Sequence, residues 1–303
     1  MRLSLFKHLL VCLTLASCAA SWGAAFGSAH VVVIDDATGE VLLQKDAATA
    51  APIASLTKLM TVMVVLDAGQ ELSETVRIDV ADMDTLKHSR GGVPMGAMVA
   101  RSILLELALI ASDNHAAAAL ARNYPGGLAA FGQATQAKIE ALGLTHTTLV
   151  EPTGLSPDNH ASALDMARVL QATQAYPLIA QITSQRSHAV LVNGQPWAVR
   201  NTNGLVGKAG WDVLASKTGF TNEAGRCLTM RLRAGERTVS VVLIGALASS
   251  ARALDALNIR RWLAGEAPVQ LAEKAEQRRR AAMRKARPAA AVVRVSFAEP
   301  TIP

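Results

Sequence analysis

Ser55-Leu56-Thr57-Lys58 sets a hydroxyl and an amine three residues apart. On a helix such positions share a face, so the two groups can meet. A helix starting at Ser55 would add partial positive charge and free N–H groups around the hydroxyl. The segment that follows is apolar nearly all round, with Leu59, Met60, Val62, Met63, Val64, Val65 and Leu66. Lys58 in its first turn would be poorly hydrated, which favours the neutral, basic amine. A serine beside a neutral lysine is an activated nucleophile. Alone, the pattern fits a helix cap with an exposed lysine better, because Ser is a common cap.

Two further triplets change that balance. Ser112-Asp113-Asn114 begins 57 residues after Ser55, and Lys217-Thr218-Gly219 begins 105 residues after Ser112. Ser112 can carry a proton between Lys58 and a leaving amine. Asn114 offers an amide to a substrate carbonyl. Lys217 and Thr218 can bind a carboxylate by charge and hydroxyl. Gly219 would let an extended substrate backbone approach a strand edge. The N–H groups of Ser55 and Phe220 could form an oxyanion hole.

The elements that must position these groups are legible in outline. Val31–Ile34 and Val41–Lys45 flank the turn-rich stretch 35–40 and predict a hairpin. Pro52 precedes a helix expected over Ser55–Ala68, and Gly69 stops it. A helix so apolar should lie inside the protein. Val76–Val80 is a candidate strand, and Arg101–Ala111 and His115–Arg122 are candidate helices on either side of Ser112. Glu151–His160 is a loop, and Ser162 to Asp165 has the form of a capping box. Ala189–Val192, Ala215–Gly219, Cys227–Leu232 and Val239–Ala246 are β-like, and Ala251–Leu263 closes as an amphipathic helix. Strands at both ends with helices between predict an α+β domain.

The three triplets in this order resemble the signature of penicillin-binding proteins and class A β-lactamases. From His30 to Leu263 the chain is similar to the serine D-Ala-D-Ala peptidases, the low-molecular-mass penicillin-binding proteins. Within them it is most like the D-alanyl-D-alanine endopeptidases. The similar stretches are Pro52–Asp67, 124–127, 151–156, 200–203 and Lys217–Met230. The resemblance implies an antiparallel sheet flanked by helices, a helical subdomain and a site between them. It implies acyl-enzyme chemistry on peptidoglycan stem peptides, with β-lactams as covalent inhibitors and no cofactor. Ser55, Lys58 and Ser112 would be catalytic, and Asn114, Lys217, Thr218 and Gly219 would bind substrate. Carboxypeptidase relatives carry His where Phe220 follows the Lys-Thr-Gly, which tilts the expectation toward an endopeptidase acting on D-Ala–diaminopimelate cross-links. A D-Ala-D-Ala carboxypeptidase is the alternative reading.

Three rivals are weaker. A class A β-lactamase needs a Glu that activates the deacylating water, and Glu151 falls close to that place, but Gly154-Leu155-Ser156 follows it as in the peptidases. A non-catalytic wall-binding relative would not need Ser55, Lys58, Ser112 and Lys217 intact. A metal enzyme is disfavoured by seven scattered His with no His-Glu-x-x-His. His115 and His160 are expected in loops or on the surface.

The ends carry different information. Met1–Lys7 is basic, His8–Ala16 is apolar, and small residues run to Ala29, so 1–29 is expected to be a secretory signal peptide and the mature chain periplasmic. Cleavage after Ala25 or Ala29 and lipidation at Cys18, in Leu15-Ala16-Ser17-Cys18, both remain open. The folded domain is expected over 30–265, with 266–303 a basic, disordered tail that could add membrane attachment. The net charge of +6 comes from these ends: residues 271–303 carry +5, the leader +2 and the remainder −1. Nucleic-acid binding is therefore not expected despite the high isoelectric point. Three Cys, two of them in the leader, cannot build a disulfide scaffold, and Cys227 is expected as a buried thiol.

Overall fold

The computed structural model describes residues 26–89 and 92–269. In chain order the elements are β1 (His30–Asp35), β2 (Val41–Lys45), β3 (Ala51–Pro52), α1 (Thr57–Asp67), β4 (Thr75–Arg77), β5 (Met98–Ala100), α2 (Arg101–Glu106), α3 (Asn114–Arg122) and α4 (Gly127–Ala141). They continue as β6 (Thr147–Thr148), β7 (His160–Ala161), α5 (Ala163–Ala172), α6 (Pro177–Thr183), β8 (Ser187–Val192), β9 (Gln195–Arg200), β10 (Asp212–Thr221), β11 (Gly225–Ala234), β12 (Arg237–Ala246) and α7 (Ser249–Leu263).

Alternation of apolar residues builds the main sheet. Its order is β10-β11-β12-β1-β2, antiparallel throughout. Val31 and Val33 of β1 share one face with Val239, Val241 and Leu243 of β12, where Ala256 and Ile259 of α7 cover them. Val32, Ile34, Val242 and Ile244 face the other way, into the larger core. There α5 lies across β1, β11 and β12. The expected sheet between helices is present.

The second layer is helical and centres on α1. Residues 57–65 of α1 are all buried, Lys58 included, and α3, α4 and α5 pack around them. This is the interior helix that its sequence predicts. The α-helix starts two residues later than expected, because Ala54–Leu56 forms a 3-10 turn. The apolar run Arg101–Ala111 splits similarly: α2 ends at Glu106, and Leu107–Ala111 is a π-turn. Such wide turns occur often at functional sites, and this one delivers Ser112.

Both domain boundaries differ from expectation. Phe26 packs under α7, the Ser28 N–H and hydroxyl donate to Asp255 at 2.7 Å, and the Ala29 N–H donates to the Ile244 carbonyl. The described fold therefore includes Phe26 to Ala29, and cleavage after Ala29 would remove residues it uses. At the other end the Asn258 side chain exchanges two hydrogen bonds with Val269, so the folded part runs past residue 265. The rest of the leader, with its Cys18 motif, and the basic stretch from 270 onward lie outside the described residues.

Candidate active site

Three elements bring the three triplets together. The 53–55 turn enters α1 from under the edge strand β10. Ala54 takes a left-handed φ of 48° there, a conformation costing a non-glycine residue about 1–3 kcal/mol. Two glycines make the approach possible. A Cβ at Gly219 would stand 3.0 Å from the Ser55 nitrogen and the Ile53 carbonyl oxygen. One at Gly154, whose φ is +83°, would collide with the Ala54 carbonyl. Gly219 thus lets β10 close against the Ser55 turn, a role beside the expected one of admitting substrate backbone.

Lys58 makes three polar contacts. Its Nζ lies 3.0 Å from Ser55 Oγ, 2.7 Å from Asn114 Oδ1 and 2.7 Å from the Thr153 carbonyl oxygen. As an ammonium it donates to all three. As a neutral amine it keeps two hydrogens for the two carbonyl oxygens, and its lone pair is left facing the Ser55 hydroxyl. Burial lowers its pKa from 10.5 to about 8, against the opposing pull of Glu151, Asp113 and Asp84. The neutral form that can take a proton from Ser55 is thus both accessible and oriented.

The acceptors on Lys58 are themselves held. Asp113 caps α3 by accepting from the Ala116 N–H, and its other oxygen accepts from the Val93 N–H, so the middle residue of its triplet is structural. Asn114 Nδ2 donates to Ser89 Oγ at 3.0 Å. Its side-chain carbonyl serves Lys58, a positioning role beside the expected substrate contact. Glu151 accepts from the N–H groups of Thr153, Gly154 and Ser156, from the Thr153 hydroxyl and from Asn159 Nδ2. These bonds shape the loop that presents the Thr153 carbonyl.

That clamp weighs against Glu151 as a base that activates the deacylating water. A carboxylate enclosed by five donors is a poor base for water. Glu151→Gln is expected to slow acylation about tenfold, by loosening the loop that orients Lys58. Rapid-mixing kinetics with a chromogenic cephalosporin checks this. Normal acylation with an adduct much longer-lived than that of the wild type would instead make Glu151 the deacylation base.

Ser112 sits at a left-handed φ of 62° where the π-turn ends. Its Oγ accepts from Lys217 Nζ at 2.7 Å, so its partner is Lys217, whereas the Lys58 contacts are Ser55, Asn114 and Thr153. Lys217 also donates to the Thr218 carbonyl, and Thr218 Oγ1 bonds Thr202 Oγ1 at 2.7 Å. Burial first, and then the charges of Lys58 and Arg252, hold the Lys217 pKa well below that of an ordinary lysine.

The free edge of β10 completes the site. The Ser216 N–H donates away from β11, to Thr183 Oγ1. Backbone direction repeats every two residues in a strand, so the N–H groups of Thr218 and Phe220 face the same open edge. The Phe220 N–H therefore shares the cleft with the Ser55 nitrogen. Two cavities, of about 370 and 210 Å³, flank Asn114, one toward Leu86 and Pro152 and the other toward Ser112 and Trp197.

Arg252, at the start of α7, escapes sequence reasoning because no motif surrounds it. Its guanidinium donates to the Cys227 carbonyl at 2.9 Å and lies close enough to Lys217 to lower its pKa. Cys227 itself is a fully buried thiol whose pKa burial raises to about 11. His115 bonds the Val93 carbonyl through Nδ1, and His160 lies in β7. Among the described residues no group of three or more His, Cys, Asp or Glu could hold a metal ion, and no helix is long and apolar enough to cross a membrane.

Residues 18–248 match the family model of D-alanyl-D-alanine carboxypeptidases, peptidase family S11. The chain belongs to this family. It is 42% identical over 238 residues to a D-alanyl-D-alanine endopeptidase of Pseudomonas aeruginosa, covering 78% of this chain and 77% of the relative. It is 38% identical, with the same coverage, to the D-alanyl-D-alanine endopeptidase of Escherichia coli K12. The Streptomyces K15 DD-transpeptidase shares its fold, with a TM-score of 0.74 at 23% identity over 80% of this chain and 98% of that one. The chain is thus a serine DD-peptidase by family, and its α+β fold is that of the penicillin-binding enzymes.

Proposed function

We propose that this peptidase is exported to the periplasm and hydrolyses the D-Ala–diaminopimelate cross-links of peptidoglycan through an acyl-enzyme on Ser55. The observation that carries the chemistry is the triple contact of Lys58, which leaves a neutral lone pair only for Ser55 Oγ.

A stem peptide laid along the open edge of β10 extends the sheet by one strand. Ser55 Oγ attacks the D-Ala carbonyl carbon as its proton passes to Lys58. The oxyanion is held by the N–H groups of Ser55 and Phe220. As the C–N bond breaks, Lys58 gives the proton it took from Ser55 to the leaving nitrogen, and the Ser112 hydroxyl, held by Lys217, hydrogen-bonds that nitrogen. The carboxylate beside the scissile bond meets Lys217, Thr218 and Arg252, a cluster of positive charge that lacks an acidic partner among the described residues. Water then releases the acyl group. A β-lactam acylates Ser55 by the same route and leaves slowly.

The endopeptidase reading rests on Phe220 and on the names of the two relatives. Cross-linked muropeptide dimers are expected to be split to monomers faster than pentapeptide monomers lose D-Ala. Incubation with both substrates and mass analysis of the products tests it. Fast trimming of monomers with persistent dimers would make this a carboxypeptidase with the same mechanism.

Attachment belongs to the ends. Removing Gln277–Pro303 is expected to leave hydrolysis of soluble muropeptides within about twofold, and to abolish salt-sensitive binding to anionic vesicles. Sedimentation with vesicles at low and high salt checks it. Loss of folding on truncation would show that the segment belongs to the domain.

A further inference from the structure

Arg226 stands at the rim of the cleft, on the strand beside β10. It pairs across the strands with Phe220, and its guanidinium carbon lies 3.5 Å above the centre of the Phe220 ring. Phe220 is 47% exposed, so the stack sits at the mouth of the site. No carboxylate or carbonyl among the described residues accepts a hydrogen bond from Arg226; the ring is its partner. Stacking on an aromatic face fixes the plane of a guanidinium and leaves its N–H fork free around the edge. Such a fork matches a carboxylate in a bidentate geometry.

Its position indicates which carboxylate. Lys217, Arg252 and Arg226 form a row of positive charge, since Arg252 acts electrostatically on Lys217 and Arg226 on Arg252. The inner two, with Thr218, are already assigned to the carboxylate beside the scissile bond. Arg226 adds a third positive charge beside them, across the strands from Phe220, the residue whose N–H completes the oxyanion hole. Free D-alanine, the leaving group of a carboxypeptidase, has one carboxylate. A leaving peptide strand has more.

We propose that Arg226, held flat on Phe220, binds a second carboxylate of the leaving strand and thereby favours cross-linked substrate over terminal D-alanine. This rests on the endopeptidase reading above. Arg226 touches the substrate away from the reacting atoms, so it is a specificity-determining residue.

The test uses the full chain and two purified muropeptide dimers. One is unmodified; the other has the leaving strand's carboxylates amidated, except the one beside the scissile bond. In the wild type, amidation is expected to lower kcat/KM about tenfold or more, the loss typical of a charge-assisted hydrogen bond. In Arg226→Ala the unmodified dimer is expected to be cut about tenfold more slowly, and amidation to matter less than twofold. Labelling by fluorescent penicillin reports that the variant is folded, and Arg226→Gln replaces it should the alanine variant fail to label. Phe220→Leu, which removes the ring but not the fork, should show part of the same loss.

A purely structural Arg226 would lower the rate while leaving the response to amidation at its wild-type size. That result, or a wild type indifferent to amidation, overturns the assignment while the endopeptidase reading stands. A wild type that trims pentapeptide and leaves both dimers intact overturns the reading and the assignment with it.

Discussion

Ser55→Ala is expected to lose covalent labelling by β-lactams entirely and to lower peptide hydrolysis by about 10⁶-fold, the scale seen when an activated serine is removed. The effect should be this large because every later step passes through the ester on Ser55 Oγ. Stability should change by less than about 1 kcal/mol. Ser55 is only half buried, in a 3-10 turn shaped by the backbone of Ile53 and Ala54 and by the two glycines that admit it. The Ser55 N–H that serves the oxyanion survives the substitution. Gel fluorescence after incubation with a labelled penicillin, with intact mass as a second readout, decides the matter. An adduct of normal yield in the mutant would place the nucleophile elsewhere, and Ser112 would be the next residue to remove.

Lys58→Ala is expected to slow acylation about 10²–10⁴-fold, the usual worth of a positioned general base. The pH profile carries more information than the rate. With the pKa of Lys58 lowered from 10.5 to about 8, the neutral amine makes up about a tenth of the population at pH 7. Wild-type acylation should therefore rise about tenfold per unit below pH 8 and level off above it, and the mutant should lose this slope. A wild-type rate flat from pH 6 to 9 would exclude Lys58 as the base.

The same shift links activity to stability. A lysine whose pKa is lowered in the folded state binds fewer protons there than in the unfolded chain, so stability rises with pH between about 8 and 10.5. Below that window, holding Lys58 buried costs on the order of 3 kcal/mol. Lys58→Met removes this cost but leaves the Asn114 and Thr153 oxygens without a donor, each worth about 1–3 kcal/mol. The two terms oppose one another, so the melting temperature of Lys58→Met should stay close to that of the wild type at pH 7. Calorimetry at pH 7 and pH 9.5 should show the wild type gaining stability over the mutant as the pH rises.

Elements whose periodicity is strong were legible from the chain alone, and those with a weak pattern were not. Alternating valines define β1 and β12 on both of their faces. The unbroken apolar character of α1 marks it as interior. By contrast, α4 buries only Phe131, Thr135 and Ile139, a narrow stripe one turn apart that includes a threonine, so no amphipathic signal stands out. The β8–β9 hairpin has Asn193-Gly194 at its turn, both at positive φ. That is a strong turn signal, yet only its first strand has an apolar run long enough to notice.

The site divides in the same way. Residue types and a three-residue spacing determined that Ser55 and Lys58 meet, because the 3-10 turn of Ser55 runs directly into α1 and such positions return to one face. They also fixed which side chains of the other two triplets carry hydroxyl, amide and charge. Only the tertiary structure decided what those groups are joined to: Lys58 to the Thr153 carbonyl 95 residues away, Ser112 to Lys217 across 105 residues, and Arg252 to the same cluster. It also gave Gly219 a second role, as the gap that admits the Ser55 turn. The physical reason is that helix and strand periods specify faces within an element. How α1, the 151–156 loop and β10 close on one another is set by packing, which depends on where glycines remove a Cβ and where Glu151 gathers a loop.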